Sequence, residues 1–192
     1  TVVAALAALQ AIENGYQVAL MAPTEILAEQ HYLKLRDWLE PLGISPVWLS
    51  GSLKKKDKLA AGERIAMGDT LLAIGTHALF QNQVEFKQLG LVIVDEQHKF
   101  GVQQRLALRG KGSEPHQLMM SATPIPRTLA MSYYADLDVS VIDQLPPGRT
   151  PVVTKLINDA RREEVFERVR NACLEGRQAY WVCPLINESE TL

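Results

Sequence analysis

The sequence predicts an α/β fold in which helices flank a parallel β-sheet. Short apolar segments alternate along the chain with longer segments of helical periodicity, and this alternation is typical of β-α units. The apolar segment 91–94 is followed at once by two carboxylates, Asp95 and Glu96, as expected where a doubly buried strand reaches the edge of a parallel sheet. The predicted strands are 18–22, 47–49, 71–74, 91–94, 117–120 and 139–142.

Two helices are predicted around the first strand. Residues 2–12 have helical periodicity that stops near Gly15, a residue type common at helix ends. Residues 24–39 repeat apolar side chains at helical spacing, and Thr24 is of a type that caps helix N-termini. The apolar positions of this second helix are Ala28, Tyr32, Leu35 and Leu39.

The segment 144–151 is predicted to connect two domains. Its sequence, QLPPGRTP, holds three prolines and a glycine, which disfavour regular structure. Residues 1–143 would form the first domain, and residues 152–192 would begin a second α/β domain. Since about forty residues can hardly bury a core alone, we expect only the start of that domain. Its predicted elements are a helix at 160–174 and strands at 152–157 and 179–183.

Composition and charge exclude several classes of protein. Of 192 residues, 47% are hydrophobic and 22% charged, which indicates a globular chain and not a disordered one. No apolar stretch has the length of a membrane span, and the start lacks the basic region of a signal peptide. Cys173 and Cys183 are too few for a thiolate metal cage and too far apart for a CxxC pair. We therefore expect a reducing, cytoplasmic location.

Two tripeptides follow predicted strands and are candidates for binding phosphate. A helix that opens directly after a strand offers unpaired amide groups to an anion. Such contacts position a DNA backbone without reading its sequence, whereas the alternative for the first threonine is an ordinary helix cap, and both roles are compatible. The two tripeptides are Pro23-Thr24-Glu25 and Gly75-Thr76-His77.

The carboxylates of Asp95 and Glu96 are candidates for the chemistry of ATP hydrolysis. One acidic group can hold a divalent metal while its neighbour orients or deprotonates the attacking water. The alternative is a solvated strand end. Ser121 and Thr123, on either side of Ala122, follow the next strand, so their hydroxyls either reach toward the carboxylates or cap the following turn.

Other residues leave their roles open. The basic run at 54–58 is either a solvated face or a DNA contact. Arg127 is either a phosphate ligand or an exposed cation. Trp38, Trp48 and Trp181 are expected in the core and not in base stacking.

Six strings in order resemble the superfamily 2 helicases of the DExH type, and among them the helicases that act on branched DNA. Together they cover nearly the whole chain, which makes chance agreement improbable. The resemblance implies a RecA-like P-loop NTPase fold. It also implies that the chain lacks the phosphate loop G-x-x-x-x-G-K-[ST] and most of the second RecA-like domain. The strings are APTEILAEQH from Ala22, GTHAL from Gly75, DEQHKFGVQQR from Asp95, SATPIPRTLAM from Ser121, LPPGRTPV from Leu145 and QAYWVCPLI from Gln178.

The resemblance assigns roles to the motif residues. Asp95 would hold Mg²⁺, and Glu96 would act as general base. Thr1, as the last residue of the phosphate loop, would give its hydroxyl to the same metal and so bind the ATP cofactor. Gln97 and His98 would sense the nucleotide. The residues that would couple hydrolysis to movement are Ser121, Ala122, Thr123 and Arg127.

The resemblance implies an ATP-dependent DNA helicase or translocase that remodels branched DNA and stalled forks in recombination and repair. Its partners would be ATP, Mg²⁺ and forked DNA. Without a phosphate loop, the chain alone is expected to show only background ATPase activity. Three alternatives stay open: a transcription-repair coupling translocase on duplex DNA, a nucleic-acid-binding module without catalysis, and a structural interaction domain.

Overall fold

The structure, a computed structural model, describes residues 1–80, 84–96, 115–122 and 138–182. The chain divides into two compact units, Thr1–Leu137 and Asp138–Leu192. The limits predicted from the sequence, with a first domain to residue 143 and a linker at 144–151, stay predictions.

The first unit is built on a five-stranded sheet in the order β2-β3-β1-β4-β5, and every neighbouring pair of strands is parallel. Strand β1 is buried along its whole length, as are all but one residue of β4, because both strands lie inside the sheet and helices cover its two faces. This confirms the predicted α/β fold with a parallel sheet. The strands are β1 (Gln17–Met21), β2 (Val47–Leu49), β3 (Leu72–Gly75), β4 (Leu89–Val94) and β5 (His116–Met119).

Helices cover both faces of this sheet. Alternate residues of β1 point in opposite directions, so Val18 and Leu20 pack with α1 and α2, while Ala19 and Met21 pack on the side of α3. Short 3₁₀ helices follow α2 and β3, at Glu40–Leu42 and His77–Phe80. The helices are α1 (Val2–Glu13), α2 (Glu25–Leu39) and α3 (Lys55–Met67).

Helix α2 presents a buried stripe that differs from the predicted one at one position. Ala28, Leu35 and Leu39 are buried as expected, but His31 and not Tyr32 completes the stripe. The spacing from 28 to 31 to 35 keeps to one helical face, whereas Tyr32 lies at its margin and is half-buried. A titratable side chain therefore faces the sheet.

The second unit has one long helix, α4 (Arg162–Leu174), preceded by a 3₁₀ helix at Asp159–Arg161. The strands predicted at 139–142 and 152–157 are wrong, and residues 179–182 also lack strand structure. Apolar β-branched residues favour a strand only where a second strand supplies hydrogen-bond partners. In the described part of this unit no such pairing occurs, and Val152 and Val153 are 82% and 77% exposed.

Two of the three tryptophans are not core residues. Trp38 is 40% exposed on α2, and Trp181 is 47% exposed, stacked on Phe166 with ring centroids 4.5 Å apart. Only Trp48 packs against the core. No helix within the described residues has the length and apolarity needed to cross a membrane.

Candidate functional site

The carboxyl edge of the sheet brings the predicted motif residues into one row. Hydrogen bonds between backbones continue past the strand ends, from the amide of Ala22 to the carbonyl of Gly75 (3.0 Å) and from the amide of Asp95 to the carbonyl of Met21 (2.9 Å). The amide of Met120 likewise donates to Val94 at 2.8 Å. Because the strands are parallel, the residues that follow them emerge side by side.

Asp95 is the most constrained side chain of this row. Its Oδ2 lies 2.6 Å from Nε2 of His31, and its Oδ1 accepts a hydrogen bond from the amide of Glu96 at 3.0 Å. The hydrogen bond from His31 lowers the pKa of Asp95, helped by the charge of His31 and by the hydrogen bond from the Glu96 amide, against the opposing effect of burial. Asp95 is therefore an ionised carboxylate, which can only accept, so Nε2 of His31 is the donor.

Sequence reasoning missed His31 as a functional residue. It is 9% exposed and lies on the buried stripe of α2, 64 positions before its partner in the sequence. The signal was available in the periodicity, since a histidine on an otherwise apolar helix face needs a buried hydrogen-bond partner. Its partner could not be named without the sheet order.

Glu96 turns the chain away from β4 in a conformation that residues with a side chain rarely adopt. Its φ of +49° places it in the left-handed region, and it is the one non-glycine residue with positive φ in the described part of the chain. The hydroxyl of Ser121 donates to Oε2 of Glu96 at 3.5 Å, at the limit of a hydrogen bond. The residues following β4 and β5 thus meet as predicted. Backbone strain of this kind often accompanies functional sites.

Thr24 caps the N-terminus of α2, which is the alternative to phosphate binding that the sequence analysis gave for this residue. Its hydroxyl accepts a hydrogen bond from the amide of Leu27 at 3.3 Å, while Thr24 itself is exposed after the half-buried Pro23. Glu25 turns aside to the loop after β2, where Oε1 accepts from the amide of Ser52 at 3.0 Å. Hydrogen bonds from Ser52 lower the pKa of Glu25. Glu25 therefore holds the loop and keeps a negative charge beside the start of α2.

The second tripeptide is tightly packed. A Cβ on Gly75 would overlap the carbonyl oxygen of Leu49, so only glycine fits there. The amide of Thr76 donates to that same carbonyl at 3.3 Å. The hydroxyl of Thr76 is buried and has no hydrogen-bond partner among the described residues, whereas His77 is exposed. The unpaired hydroxyl is a polar group that a ligand or a shift of the loop could satisfy.

Thr1 stands at the start of α1 without using its side chain as a cap. Its hydroxyl and the carboxylate of Asp95 are the two groups predicted to bind the metal. No cluster of three or more His, Cys, Asp or Glu exists in the part of the chain that the structure describes. One carboxylate and one hydroxyl do suit Mg²⁺, which keeps several waters and takes its other ligands from phosphates.

Part of the predicted site lies outside the described residues. Ser121 and Ala122 are exposed at the end of β5. The remaining candidates, whose predicted roles stay predictions, are Gln97, His98, Thr123 and Arg127.

Comparison with protein families shows which family this chain belongs to. The family model described as DEAD/DEAH box helicase matches residues 1–132. The chain belongs to this helicase family. The predicted resemblance to helicases is thereby confirmed, although the comparison assigns no role to single residues.

The helicase chain is similar along its whole length to proteins described as the ATP-dependent DNA helicase RecG. It is 64% identical over 197 residues to the ATP-dependent DNA helicase RecG of Escherichia coli strain K12 and 62% identical to that of Haemophilus influenzae. Both alignments cover 100% of this chain and 28% of the relative. The helicase chain thus spans about 28% of the length of these curated relatives.

Solved structures agree. A structure of RecG bound to a three-way DNA junction matches with a TM-score of 0.78 and 46% identity, over 97% of this chain and 25% of that one. The DUF1998 helicase MrfA bound to DNA and AMPPNP matches with a TM-score of 0.63 and 19% identity, over 86% and 27% of the two chains. The second likeness concerns the fold alone. The expected RecA-like fold is confirmed.

Proposed function

We propose that this chain is part of the motor of an ATP-dependent DNA helicase that remodels branched DNA and stalled forks in recombination and repair. The observation that carries the proposal is the pair Asp95 and Glu96 at the carboxyl end of β4, with Asp95 kept ionised by its hydrogen bond from His31. The likeness to RecG supports branched DNA as the substrate and disfavours a transcription-repair coupling translocase.

The nucleotide would be ATP with Mg²⁺. Asp95 and Thr1 would hold the metal, which when bound neutralises charge on the phosphates. Glu96 would take the proton of the attacking water, and the hydroxyl of Ser121 contacts its carboxylate. Two adjacent carboxylates in different surroundings can thus divide metal binding and base catalysis.

Coupling would pass through the residues after β5. The hydroxyl of Ser121 contacts the carboxylate of Glu96, so a change at the carboxylate reaches the segment that follows the neighbouring strand. Gln97 and His98 would sense the nucleotide on the same side. The other residues proposed for coupling are Ala122, Thr123 and Arg127.

DNA would contact the same edge through its phosphates. The exposed first turn of α2 at Thr24 offers amide groups and the positive end of the helix dipole. The tripeptide Gly75-Thr76-His77 would give a second contact. Such contacts carry no sequence information, as suits an enzyme that acts on DNA of any sequence.

The proposal extends to organisation and location. The first RecA-like domain would comprise residues 1–143, the linker 144–151, and the start of the second domain 152–192. The widely spaced cysteines Cys173 and Cys183 favour a cytoplasmic location.

The deciding experiment compares Glu96→Gln with Glu63→Gln in the complete protein. Glu63 is exposed on α3, away from the sheet edge, and provides a control of identical chemistry. ATP hydrolysis in the presence of forked DNA should fall by about 100-fold or more in Glu96→Gln and stay unchanged in Glu63→Gln. Equal turnover in both variants would overturn the proposed role of Glu96, and wild-type protein without DNA-stimulated hydrolysis would overturn the function.

A further inference from the structure

One helix carries contacts to both halves of the proposed site. Thr24 caps α2 at the end proposed for DNA, and His31, seven residues further on, contacts Asp95 at the end proposed for the nucleotide. At 1.5 Å per residue, the two positions are roughly 10 Å apart along one rigid helix. A displacement at one end of this segment is therefore transmitted to the other.

The contact between His31 and Asp95 is built into the fold. His31 is 9% exposed on the apolar stripe, packed between the buried turns of Ala28 and Leu35. Its partner has 20% of its side chain exposed, so one side of the carboxylate stays open to solvent. A charged hydrogen bond of 2.6 Å in such surroundings is short and strong.

Both carboxylate oxygens of Asp95 are held from different directions. The amide of Glu96 fixes Oδ1 from within the same turn, and His31 fixes Oδ2 from across the sheet edge. A carboxylate with one such bond still rotates about its terminal torsion, whereas two bonds define its plane. Partners of this kind orient the groups that bind metals, and their loss typically costs 10- to 100-fold in affinity.

We propose that His31 is a positioning residue that orients Asp95 for Mg²⁺-nucleotide and makes α2 the element that couples nucleotide binding to DNA binding. This inference rests on the proposed function and names the regulation of that site. His31 touches neither substrate. It acts through Asp95 at one end of α2 and through the helix backbone at the other. Coupling of this sort is reciprocal, so nucleotide and DNA each raise the affinity for the other by the same factor.

Variants of His31 behave differently if the residue only supports the fold than if it positions Asp95. His31→Leu places an apolar side chain on an apolar stripe, so stability is retained while the bond to Asp95 is lost. His31→Gln keeps an N–H donor of similar reach. Gln30→Leu, on the exposed side of the same helix, is the matched control. His31→Asn, too short to reach Asp95, repeats the test if the leucine variant does not fold.

The experiment uses the complete protein and two binding measurements that need no turnover. The first is the Mg²⁺ dependence of binding of a fluorescent, non-hydrolysable ATP analogue. We expect His31→Leu to need about ten-fold more Mg²⁺ than wild type, His31→Gln to recover most of that loss, and Gln30→Leu to match wild type. The second is the ratio of forked-DNA affinities with and without the analogue, which should approach one in His31→Leu.

The outcomes separate the two proposals. Wild-type Mg²⁺ dependence and an unchanged affinity ratio in a folded His31→Leu or His31→Asn variant would overturn the role of His31 and leave the helicase function standing. Equal losses in His31→Gln and His31→Leu would show that side-chain shape and not the donor matters, which also overturns it. A wild-type protein that binds the analogue without Mg²⁺ dependence would overturn the proposed function together with this inference.

Discussion

Two groups of buried polar side chains, at opposite edges of the sheet, differ in how far their hydrogen bonds are completed. At the amino edge Gln17, only 3% exposed, uses its whole side chain: Nε2 donates to the carbonyls of Ile65 (2.8 Å) and Thr70 (2.9 Å), and Oε1 accepts from the amide of Gln88 (3.0 Å). At the carboxyl edge the hydroxyl of Thr76 is buried without a described partner, and the carboxylate of Asp95 is partly open.

The difference shows that a buried polar group can either hold the fold together or stay available for a ligand, depending on whether its hydrogen bonds are complete. A buried group whose hydrogen bonds are complete holds segments in register and has nothing left for a ligand. Gln17 does this for the end of α3 and the starts of β3 and β4, where the pairing of β1 with β4 shifts register. A buried polar group with an unmade hydrogen bond lowers the stability of the fold, but it can still bind a ligand. We therefore regard the amino edge as the structural edge and the carboxyl edge as the proposed functional edge.

The largest expected effect tests the functional edge. Asp95→Asn removes the charge while keeping the shape, so in the complete protein ATP turnover should fall on the order of 100-fold or more. Stability should change little, because the amide oxygen can still accept from the Glu96 amide while the new NH2 group donates to Nε2 of the other His31 tautomer. Steady-state ATPase and thermal unfolding measure the two. If Asp95→Asn instead lowers the unfolding temperature strongly and leaves ATP turnover of the folded protein unchanged, Asp95 is chiefly structural.

The next effect tests the structural edge. Gln17→Leu leaves one amide and two carbonyls without their partner, so the free energy of unfolding should fall by about 2 to 4 kcal/mol. The exposed Gln10→Leu on α1 is the control and should stay within about 0.5 kcal/mol. Urea unfolding measures both. ATP turnover per folded molecule of Gln17→Leu should equal wild type. A loss of turnover in the folded variant would contradict a purely structural role of the amino edge.

A smaller effect concerns the cap of α2. Thr24→Ala removes the acceptor for the amide of Leu27 and should cost about 1 kcal/mol in the free energy of unfolding. DNA affinity should weaken while its dependence on salt stays the same, because the lost phosphate contact comes from a neutral hydroxyl and counterion release follows charge. Thr24→Ser keeps the cap and serves as control. Filter binding at several salt concentrations measures the affinity and its slope, and an affinity equal to wild type would reduce Thr24 to a helix cap alone.

The smallest effect compares one substitution at both edges. Thr76→Val removes a buried, unpaired hydroxyl at constant shape and should raise the free energy of unfolding by roughly 1 kcal/mol. Thr70→Val removes a hydroxyl that donates to the carbonyls of Ser45 (3.3 Å) and Leu72 (3.4 Å), and should lower it by a similar amount. Changes of the same sign would refute the contrast between the edges.

Much of the first unit followed from local patterns. Strands β1 to β5 lie within two residues of their predicted limits, because doubly buried parallel strands are short apolar runs that need little context. The carboxyl-edge row of Thr24, Thr76, Asp95 and Ser121 followed as well, since residues after parallel strands must emerge at one edge. The strands of the second unit failed, because a β-pattern does not state whether a partner strand is at hand.

The amino-acid sequence by itself determined the fold class, the helicase motifs and the edge at which their side chains collect, since periodicity and strand ends are local properties. Only the tertiary structure decided which polar groups pair. His31 meets Asp95 across 64 positions, and Gln17 meets Ile65, Thr70 and Gln88 across 48, 53 and 71. Such pairs depend on the sheet order β2-β3-β1-β4-β5, which no single segment encodes. The physical reason is that a hydrogen bond needs both partners within about 3 Å, and the packed sheet alone brings them there.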